Sequence, residues 1–415
     1  MLKNIFSIFS HFLYLGCISF GGPAAHLGYF QRYFIEKHQW LDLPSYSRMV
    51  ALSQFLPGPA SSQVGFSIGY HRAGLFGAIA AFIGFTLPSF VLLFLLAVAG
   101  VHFADSTSFI GAVYGLKLLA VVIVGDAVIS MAKVFCQNKT TKLIALTTLI
   151  VTLLLATLTA QLLLLIAAGI IGILTFQASD NAKVSSANSV AHSNTQGLNK
   201  VALILFLALF VALPLLPIQG QVLSLFNSFY QAGSLVFGGG HVVLPMLQQT
   251  LTEPVSADTF ILGYASAQAG PGPMFTLATF LGANILIEAP LLGALIATSA
   301  IFLPGCVLIL ALQGVWQKWV YQPKVAGFVM GVNAAVVGLL AAAFYQPIAV
   351  NAIYSVLDIV WVTIGFVLLK VYRLPILAIG ACLIARGLIM AQVYSRAARY
   401  KQQAASYEVL GVICH

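Results

Sequence analysis

The sequence predicts an all-α polytopic membrane protein with two homologous halves, and three observations lead to this fold class. Hydrophobic residues make up 60% of the 415 residues and charged residues only 7%, against roughly a quarter in soluble domains. Several apolar runs approach or exceed the ~20 residues that cross a bilayer, and none alternates with period two as a barrel strand does. The second half repeats the landmarks of the first.

Eight apolar runs are long enough to be considered as spans. They are Gly74–Val101, Phe109–Ala132, Leu143–Phe176, Val201–Leu216, Leu291–Leu312, Val325–Phe344, Ile348–Leu369 and Leu374–Met390. The run Leu143–Phe176 is long enough for two tight crossings. The composition therefore predicts helices that cross the bilayer many times.

A shift of about 215 residues aligns the two halves, which is the signature of an internal repeat. Phe20-Gly21-Gly22 aligns with Phe237-Gly238-Gly239, and Pro57-Gly58-Pro59 aligns with Pro271-Gly272-Pro273. Further along, Lys117 aligns with Asn333. The predicted units are residues 1–176 (first repeat), 177–200 (polar linker), 201–220 (extra span), 221–392 (second repeat) and 393–415 (C-terminal tail).

The charges in the loops predict that the two repeats are inverted in the membrane. Loops rich in Lys and Arg, such as Gln31–Arg48 and Lys133–Lys142, are placed in the cytoplasm, and uncharged or acidic loops such as Gln248–Asp258 outside. A single topology is consistent with these charges if each repeat consists of two re-entrant hairpins followed by four spans. The extra span makes the number of crossings odd and therefore inverts the second repeat. This topology places the basic tail at Arg396 outside, which disagrees with the charge rule.

The paired Gly/Pro breaks predict a binding site, because irregular backbone survives at membrane depth only where it lines a cavity or is buried in protein. Short helices that begin after a break aim free N–H groups and a positive dipole end at the centre. Such a site suits an anion. Its predicted residues are Gly21, Gly22, Pro23, Pro57, Gly58, Pro59, Gly238, Gly239, Gly240, Pro271, Gly272 and Pro273. The alternative interpretation is that the breaks are packing kinks.

At these motifs the sequence resembles the chromate ion transporter superfamily in its two-domain long form. The residues that carry the resemblance are FGGPAAHL at Phe20–Leu27, LPGPASSQVG at Leu56–Gly65, FGGGHVVLP at Phe237–Pro245, GPGPMFTLATFLG at Gly270–Gly282 and GVNAAVVGLL at Gly331–Leu340. The resemblance implies a protein of the bacterial cytoplasmic membrane that moves chromate or a similar oxyanion such as sulfate. In characterised members it implies chromate efflux and resistance, and it covers neither the linker nor the tail.

Several side chains extend the predicted substrate site. Lys117 lies in an apolar run with no partner evident in the sequence, which favours either a functional role or snorkelling to the outer surface. The other substrate-site candidates are Ser61, Ser62, Thr276, Arg72 and Asn333. The alternative role of the three hydroxyl residues is helix capping, and that of Arg72 is to set the topology. Candidates for proton coupling are Asp126, His26 and His241, each with a structural alternative.

Other functional classes lack their motifs. The apolar runs contain no nucleophile motif, and Asp126 and Asp358 have no partner motif; the chain has no nucleotide-binding motif. The five cysteines and eight histidines are scattered, so neither a metal nor another cofactor is expected. The net charge of +9 is ascribed to topology and not to nucleic acid. The expected partners are the oxyanion and the lipid bilayer, with a homodimer, a sulfate or other anion importer and a non-transporting structural subunit left open.

Overall fold

The computed structural model describes residues 2–103, 106–155, 157–175, 197–216, 220–237, 243–251, 255–316 and 322–393. These residues form helices joined by short connections, and they contain no strand. The predicted site residues Gly238, Gly239, Gly240 and His241 lie outside the described residues. So do most of the predicted linker and all but the first residue of the predicted tail.

The described residues of the first half form seven helices, and the fourth is kinked. They are α1 (Leu2–Ile18), α2 (Gly22–Phe30, continued by a π-helical segment Gln31–Lys37), α3 (Leu43–Phe55), α4 (Ala60–Phe103), α5 (Thr107–Phe135), α6 (Lys139–Leu154) and α7 (Leu158–Thr175). The predicted double crossing in Leu143–Phe176 is indeed two helices, α6 and α7. An eighth helix, α8 (Lys200–Leu215), occupies the predicted extra span.

The second half repeats this order of helices. They are α9 (Gln221–Leu235), α10 (Val243–Thr250), α11 (Ala257–Ala269), α12 (Leu277–Ile285, preceded by a 3-10 turn Met274–Thr276), α13 (Pro290–Leu312), α14 (Pro323–Ala343, continued by a π-helical segment Phe344–Ala349), α15 (Val356–Lys370) and α16 (Ile376–Val393). Helices α9, α10 and α11 thus correspond to α1, α2 and α3, and α12 with α13 corresponds to α4.

The helices have the length and the surface of a multi-pass membrane protein. Within the part of the chain that the structure describes, five are long and apolar enough to cross a bilayer: Ala60–Gly100, Thr107–Phe135, Pro290–Leu312, Pro323–Ala349 and Ile376–Val393. On α4, the residues Ile79, Ile83, Leu87, Val91 and Leu95 follow one another at the spacing of four and are all exposed. Such an apolar stripe faces lipid, because water would not be a favourable environment for it.

Helix α4 is two helices joined at Ala73 and Gly74, whose backbone angles are not helical. The two segments fold back on each other so closely that a Cβ on Gly69 would lie 2.3 Å from the carbonyl oxygen of Gly77. The same arrangement recurs in the second half, where a Cβ on Gly282 would lie 2.3 Å from the carbonyl oxygen of Gly293. In both halves the helix that follows the Pro-Gly-Pro break therefore turns back sharply.

The two halves exchange one helix each. Helix α14 packs against α6 and α7 of the first half, and α5 packs against α11 and α15 of the second. Equivalent glycines mark the contact of each exchanged helix with the last helix of the other repeat: a Cβ on Gly111 would meet the carbonyl oxygen of Gly387 in α16 at 2.7 Å, and one on Gly327 that of Gly172 in α7 at 2.6 Å. Because residue 172 corresponds to 387 and 111 to 327, the exchange obeys an approximate two-fold symmetry.

Candidate functional site

The breaks of the two halves interlock through a reciprocal pair of backbone hydrogen bonds. The N–H of Gly58 donates to the carbonyl oxygen of Val236 at 2.8 Å, and the N–H of Gly272 donates to that of Ser19 at 2.9 Å. Ser19 and Val236 are equivalent positions, each directly before the Phe-Gly-Gly motif of its repeat. Each Pro-Gly-Pro break is therefore bonded to the glycine-rich break of the other repeat.

Glycine is required at both Pro-Gly-Pro breaks. Gly58 has φ 119° and Gly272 has φ 84°, values that side-chain-bearing residues rarely adopt. A Cβ on Gly58 would lie 3.1 Å from the Cα of Gly305, and one on Gly272 would lie 2.8 Å from the Oγ of Ser89. Gly305 and Ser89 are again equivalent, each following the proline within its helix. The symmetry of the two halves thus extends to the atoms around each break.

Helices begin after the breaks, as the sequence predicts. Helix α2 begins at Gly22, directly before Pro23; α4 begins at Ala60, after Pro59; and the 3-10 turn before α12 begins at Met274, after Pro273. The first turn of each helix has backbone N–H groups that no intrahelical carbonyl accepts. The N–H groups of Gly58 and Gly272 themselves are occupied by the reciprocal bonds, so the free donors belong to the helix starts.

His26 joins the first glycine-rich break to the start of α4. Its ring is fully buried; Nε2 lies 3.2 Å from the carbonyl oxygen of Ser19, and Nδ1 lies 3.2 Å from the Oγ of Ser61. A carbonyl can only accept, so Nε2 carries a hydrogen, and in the neutral ring Nδ1 accepts from the Ser61 hydroxyl. His26, predicted as a candidate for proton coupling, therefore has a defined structural role at the breaks.

Several neutral polar groups at the breaks are buried and lack a hydrogen-bond partner among the described residues. They include Ser19 Oγ, Ser62 Oγ, Gln63 Oε1, Thr86 Oγ1 and Gln268 Oε1. Gln268 Nε2 lies 3.8 Å from where a Cβ on Gly22 would stand, so the end of α11 meets the start of α2. The hydroxyls among them, like the free backbone N–H groups, can donate to an oxyanion without a fixed countercharge, whereas the two glutamine oxygens can only accept.

The other predicted polar side chains fall into two groups. Ser61, Ser62 and Thr276 are buried at the breaks, and Thr276 Oγ1 donates to the carbonyl oxygen of Pro273 at 2.6 Å, which is a local capping-type bond. Asn333 is buried within α14. Arg72 is exposed at the far end of the first segment of α4, with its guanidinium 5.1 Å from the centre of the Trp40 ring.

Lys117 has a partner, contrary to the expectation from the sequence. Its Nζ lies 2.5 Å from Oδ1 of Asp258, whose side chain is 61% exposed while that of Lys117 is 7% exposed. Asp258 lies in the first turn of α11, and the Pro-Gly-Pro break follows the other end of that helix. Twelve residues of helix separate the pair from the break, a rise of roughly 18 Å. The ion pair of Lys117 therefore lies at the opposite end of α11 from the Pro-Gly-Pro break.

Asp126 also has a partner that the sequence does not reveal. Its Oδ1 lies 2.5 Å from the Nζ of Lys370, which also approaches the Oγ of Ser130 at 3.3 Å. Lys117 is nine residues before Asp126 on α5, about half a helical revolution out of phase, so the two side chains do not pair. The pair joins the ends of α5 and α15, where both side chains are partly exposed.

The sequence analysis missed one buried ion pair altogether. Arg386 Nη2 donates to Oδ1 of Asp358 at 2.6 Å, and the two side chains are 6% and 0% exposed. Asp358 also accepts from the backbone N–H groups of Tyr354 and Ser355 at the start of α15, and the guanidinium lies 5.2 Å from the centre of the Tyr114 ring. The signal was present, since Asp358 and Arg386 each interrupt an apolar run, and such charges have a partner in membrane proteins.

Comparison with known proteins identifies the family. The sequence profile described as chromate transporter matches twice, over residues 6–173 and 223–388. The chain is 30% identical over 393 residues to a chromate transport protein of Cupriavidus metallidurans, covering 90% of each chain. It is 26% identical to a chromate transport protein of Pseudomonas aeruginosa, covering 92% of this chain and 85% of that one, and 27% identical to a probable chromate transport protein of Synechococcus elongatus, covering 80% and 82%. No solved structure matches the chain. The chain therefore belongs to the chromate transporter family, which is a family of membrane transporters and not of enzymes.

Proposed function

We propose that this protein carries chromate, or a similar tetrahedral oxyanion, outward across the cytoplasmic membrane of a bacterium. The observation that carries the proposal is the interlocked pair of breaks, with Gly58 bonded to Val236 and Gly272 bonded to Ser19. Breaks at equivalent places in two repeats are where transporters of this general design bind substrate. The relatives named as chromate transport proteins supply the identity of the anion.

The proposed site binds the anion through neutral groups. Its donors are the free N–H groups at the starts of α2 and α4, the hydroxyls of Ser19 and Ser62, and the Nε2 amide group of Gln268, which lies near Gly22. None of these side chains carries a charge, and helix starts contribute about half a positive charge each. A dianion would thus be neutralised only in part, so that it can leave again.

An inverted arrangement of the repeats fits the contacts at both ends of α5. Lys117 meets Asp258 and Tyr114 stacks on Tyr354 near its start, whereas Asp126 meets Lys370 near its end. Asp258 comes from a loop that the charge rule places outside, and Lys370 comes from a loop placed in the cytoplasm. Cysteines introduced at Asp42 and at Ser256, the matching N-cap positions of α3 and α11, should react with impermeant reagents from opposite sides. Labelling from the same side would mean parallel repeats.

The membrane potential can drive the proposed efflux without another ion. An inside-negative potential supplies roughly 2.3 kcal/mol per charge per 100 mV, hence about 4.6 kcal/mol for a dianion. At about 1.4 kcal/mol per decade this sustains a gradient of more than a thousandfold. Proton coupling through Asp126, His26 or His241 is the competing mechanism.

Vesicles with a clamped potential test the proposal. Chromate and sulfate flux should be measured without a pH difference, with the potential set in either direction. We expect chromate flux that follows the potential and is absent without the protein. Flux that needs a pH gradient would establish proton coupling instead, and sulfate flux alone would make the protein a sulfate transporter. No flux of either anion under any condition would favour the alternative that the protein is a non-transporting structural subunit.

A further inference from the structure

The two pairs of short helices that bear the breaks differ in how open they are. In the first half, a cavity of about 380 Å³ lies between α2 and α3, and its lining includes Leu27, Gln31, Ser47 and Gln54. This volume is within the ~300–1,000 Å³ typical of ligand sites. Gln54, three residues before Pro57, is the lining residue nearest in sequence to the first Pro-Gly-Pro break.

The equivalent surface in the second half is closed. Ser47 and Gln54 are exposed, whereas their counterparts Ile261 and Gln268 are 1% and 5% exposed. Val50 and Ala51 are partly exposed, whereas their counterparts Tyr264 and Ala265 are 1% and 0% exposed. The same positions of one repeated unit are thus exposed in one half and buried in the other.

Packing explains the difference. In the second half, α11 packs against α5 and α10 packs against α14, the two exchanged helices. In the first half, α2 and α3 pack chiefly against α4 and the π-helical segment of their own repeat. The ion pair Lys117–Asp258 links α11 to α5 at the closed end. At the matching place in the first half the residues are Pro44 and Asn333, which cannot form an ion pair.

We propose that the cavity between α2 and α3 is the open mouth of the anion pathway, and that the α10–α11 side is the same mouth shut and locked by Lys117–Asp258. This inference rests on the proposed function, since it names the route by which the oxyanion reaches the breaks. The loop charges place the open mouth on the cytoplasmic side, where an exporter loads its substrate. Gln54 is the first amide donor that the oxyanion meets there, and Gln268 takes that place when the other mouth opens.

Thiol labelling tests the two mouths without measuring transport. In a protein whose five cysteines are replaced by serine, Ser47→Cys and Ile261→Cys are compared with a membrane-impermeant maleimide, in inverted and right-side-out vesicles. We expect Ser47→Cys to react rapidly in inverted vesicles and Ile261→Cys to react at least tenfold more slowly from either side. Equal reactivity of the two cysteines would overturn the assignment of an open and a shut mouth.

Breaking the ion pair Lys117–Asp258 should reverse the difference in labelling rate between Ser47→Cys and Ile261→Cys. Adding Asp258→Asn should raise the labelling of Ile261→Cys severalfold in right-side-out vesicles and lower that of Ser47→Cys in inverted ones. Asp126→Asn is the matched control, because it breaks the other ion pair of α5 at the opposite end and should change neither. Unchanged labelling with Asp258→Asn, or an equal change with Asp126→Asn, would refute the lock. If labelling gives the expected result but vesicles with a clamped potential show no oxyanion flux, the assignment of an open and a shut mouth is retained and the proposed transport function is wrong.

Discussion

The exchanged helices α5 and α14 have the same backbone packing but different charges. Both use glycines at matching positions to approach the last helix of the other repeat, Gly111 against Gly387 and Gly327 against Gly172. Yet α5 carries Lys117 and Asp126, each in an ion pair, where α14 carries Asn333 and Ala342. The part of the structure that is duplicated is the backbone with its breaks, and the part that is not duplicated is the set of charges.

This difference separates two tasks. A site that must serve both directions of opening is built from what the halves share, namely Gly58 and Gly272 with their reciprocal hydrogen bonds. A preference for one opening requires something that only one half has, and Lys117–Asp258 is such a feature. The comparison therefore predicts that changes at the breaks act alike in both halves, whereas changes at the charges act on one side.

The largest effect is expected at the shared breaks. Gly58→Leu and Gly272→Leu should each reduce chromate flux to the background of empty vesicles, because both positions have positive φ and no space for a side chain. Gly74→Ala is the control, since Gly74 also has positive φ (61°) but no neighbour within 4 Å of its Cβ position. Immunoblots of the membranes establish that each variant is inserted. Normal flux in either leucine variant would show that the two breaks do not contribute equally to transport.

The next effect is one of stability, at the buried ion pair of the second half. Asp358→Asn should destabilise the protein by about 3–5 kcal/mol, because it leaves the charge of Arg386 buried without its partner. Thr141→Ala, at the equivalent place in the N-terminal capping box of α6, should cost only about 1 kcal/mol. Thermal unfolding of the purified protein in detergent measures both. Similar losses of stability in the two variants would mean that the ion pair contributes nothing beyond the capping box that α6 and α15 have in common.

A smaller effect is expected at the two glutamines that precede the Pro-Gly-Pro breaks. Gln54→Leu and Gln268→Leu each remove an amide donor, and a hydrogen bond to a charged group contributes about 1.5–3 kcal/mol. We expect the half-saturating chromate concentration to rise about tenfold in Gln54→Leu for flux started from the α2–α3 side. Gln268→Leu should have this effect from the opposite side. The reverse pattern would exchange the two mouths.

The smallest effect is expected for Asp126→Asn. Its ion pair with Lys370 joins side chains that are 26% and 42% exposed, and such pairs contribute about 0–1 kcal/mol. Chromate flux should therefore keep its dependence on the membrane potential, and thermal stability should fall only slightly. A loss of flux that is restored by a pH gradient would instead place Asp126 in a proton path.

The sequence predicted most of the fold because its signals are local or repeated. Apolar runs of a given length form helices in a bilayer, and Leu143–Phe176 was correctly divided into two. The positions of Gly58 and Gly272 were found because proline and glycine break helices wherever they stand. The sequence also predicted that helices begin after the breaks, which the starts of α2 and α4 confirm.

The partners of the charged side chains were beyond the sequence. Lys117 and Asp258 are 141 residues apart, and Asp358 and Arg386 are 28 apart on different helices. Nothing in the pattern of either helix says which face meets which neighbour. The partner of Lys117 was not identified from the sequence for this reason, and Arg386 was not considered at all.

What the sequence determined by itself is the membrane environment, the duplication and the placement of the breaks, since these follow from hydrophobicity, chain length and backbone chemistry. Only the tertiary structure decided that the breaks of one repeat bond to those of the other, and that one mouth is open while its copy is shut. The two repeats have nearly the same pattern, so their sequences cannot say which of two packings each adopts. That choice depends on which helices pack together, and the ion pair across α5 and α11 is a contact that exists only once the chain has folded.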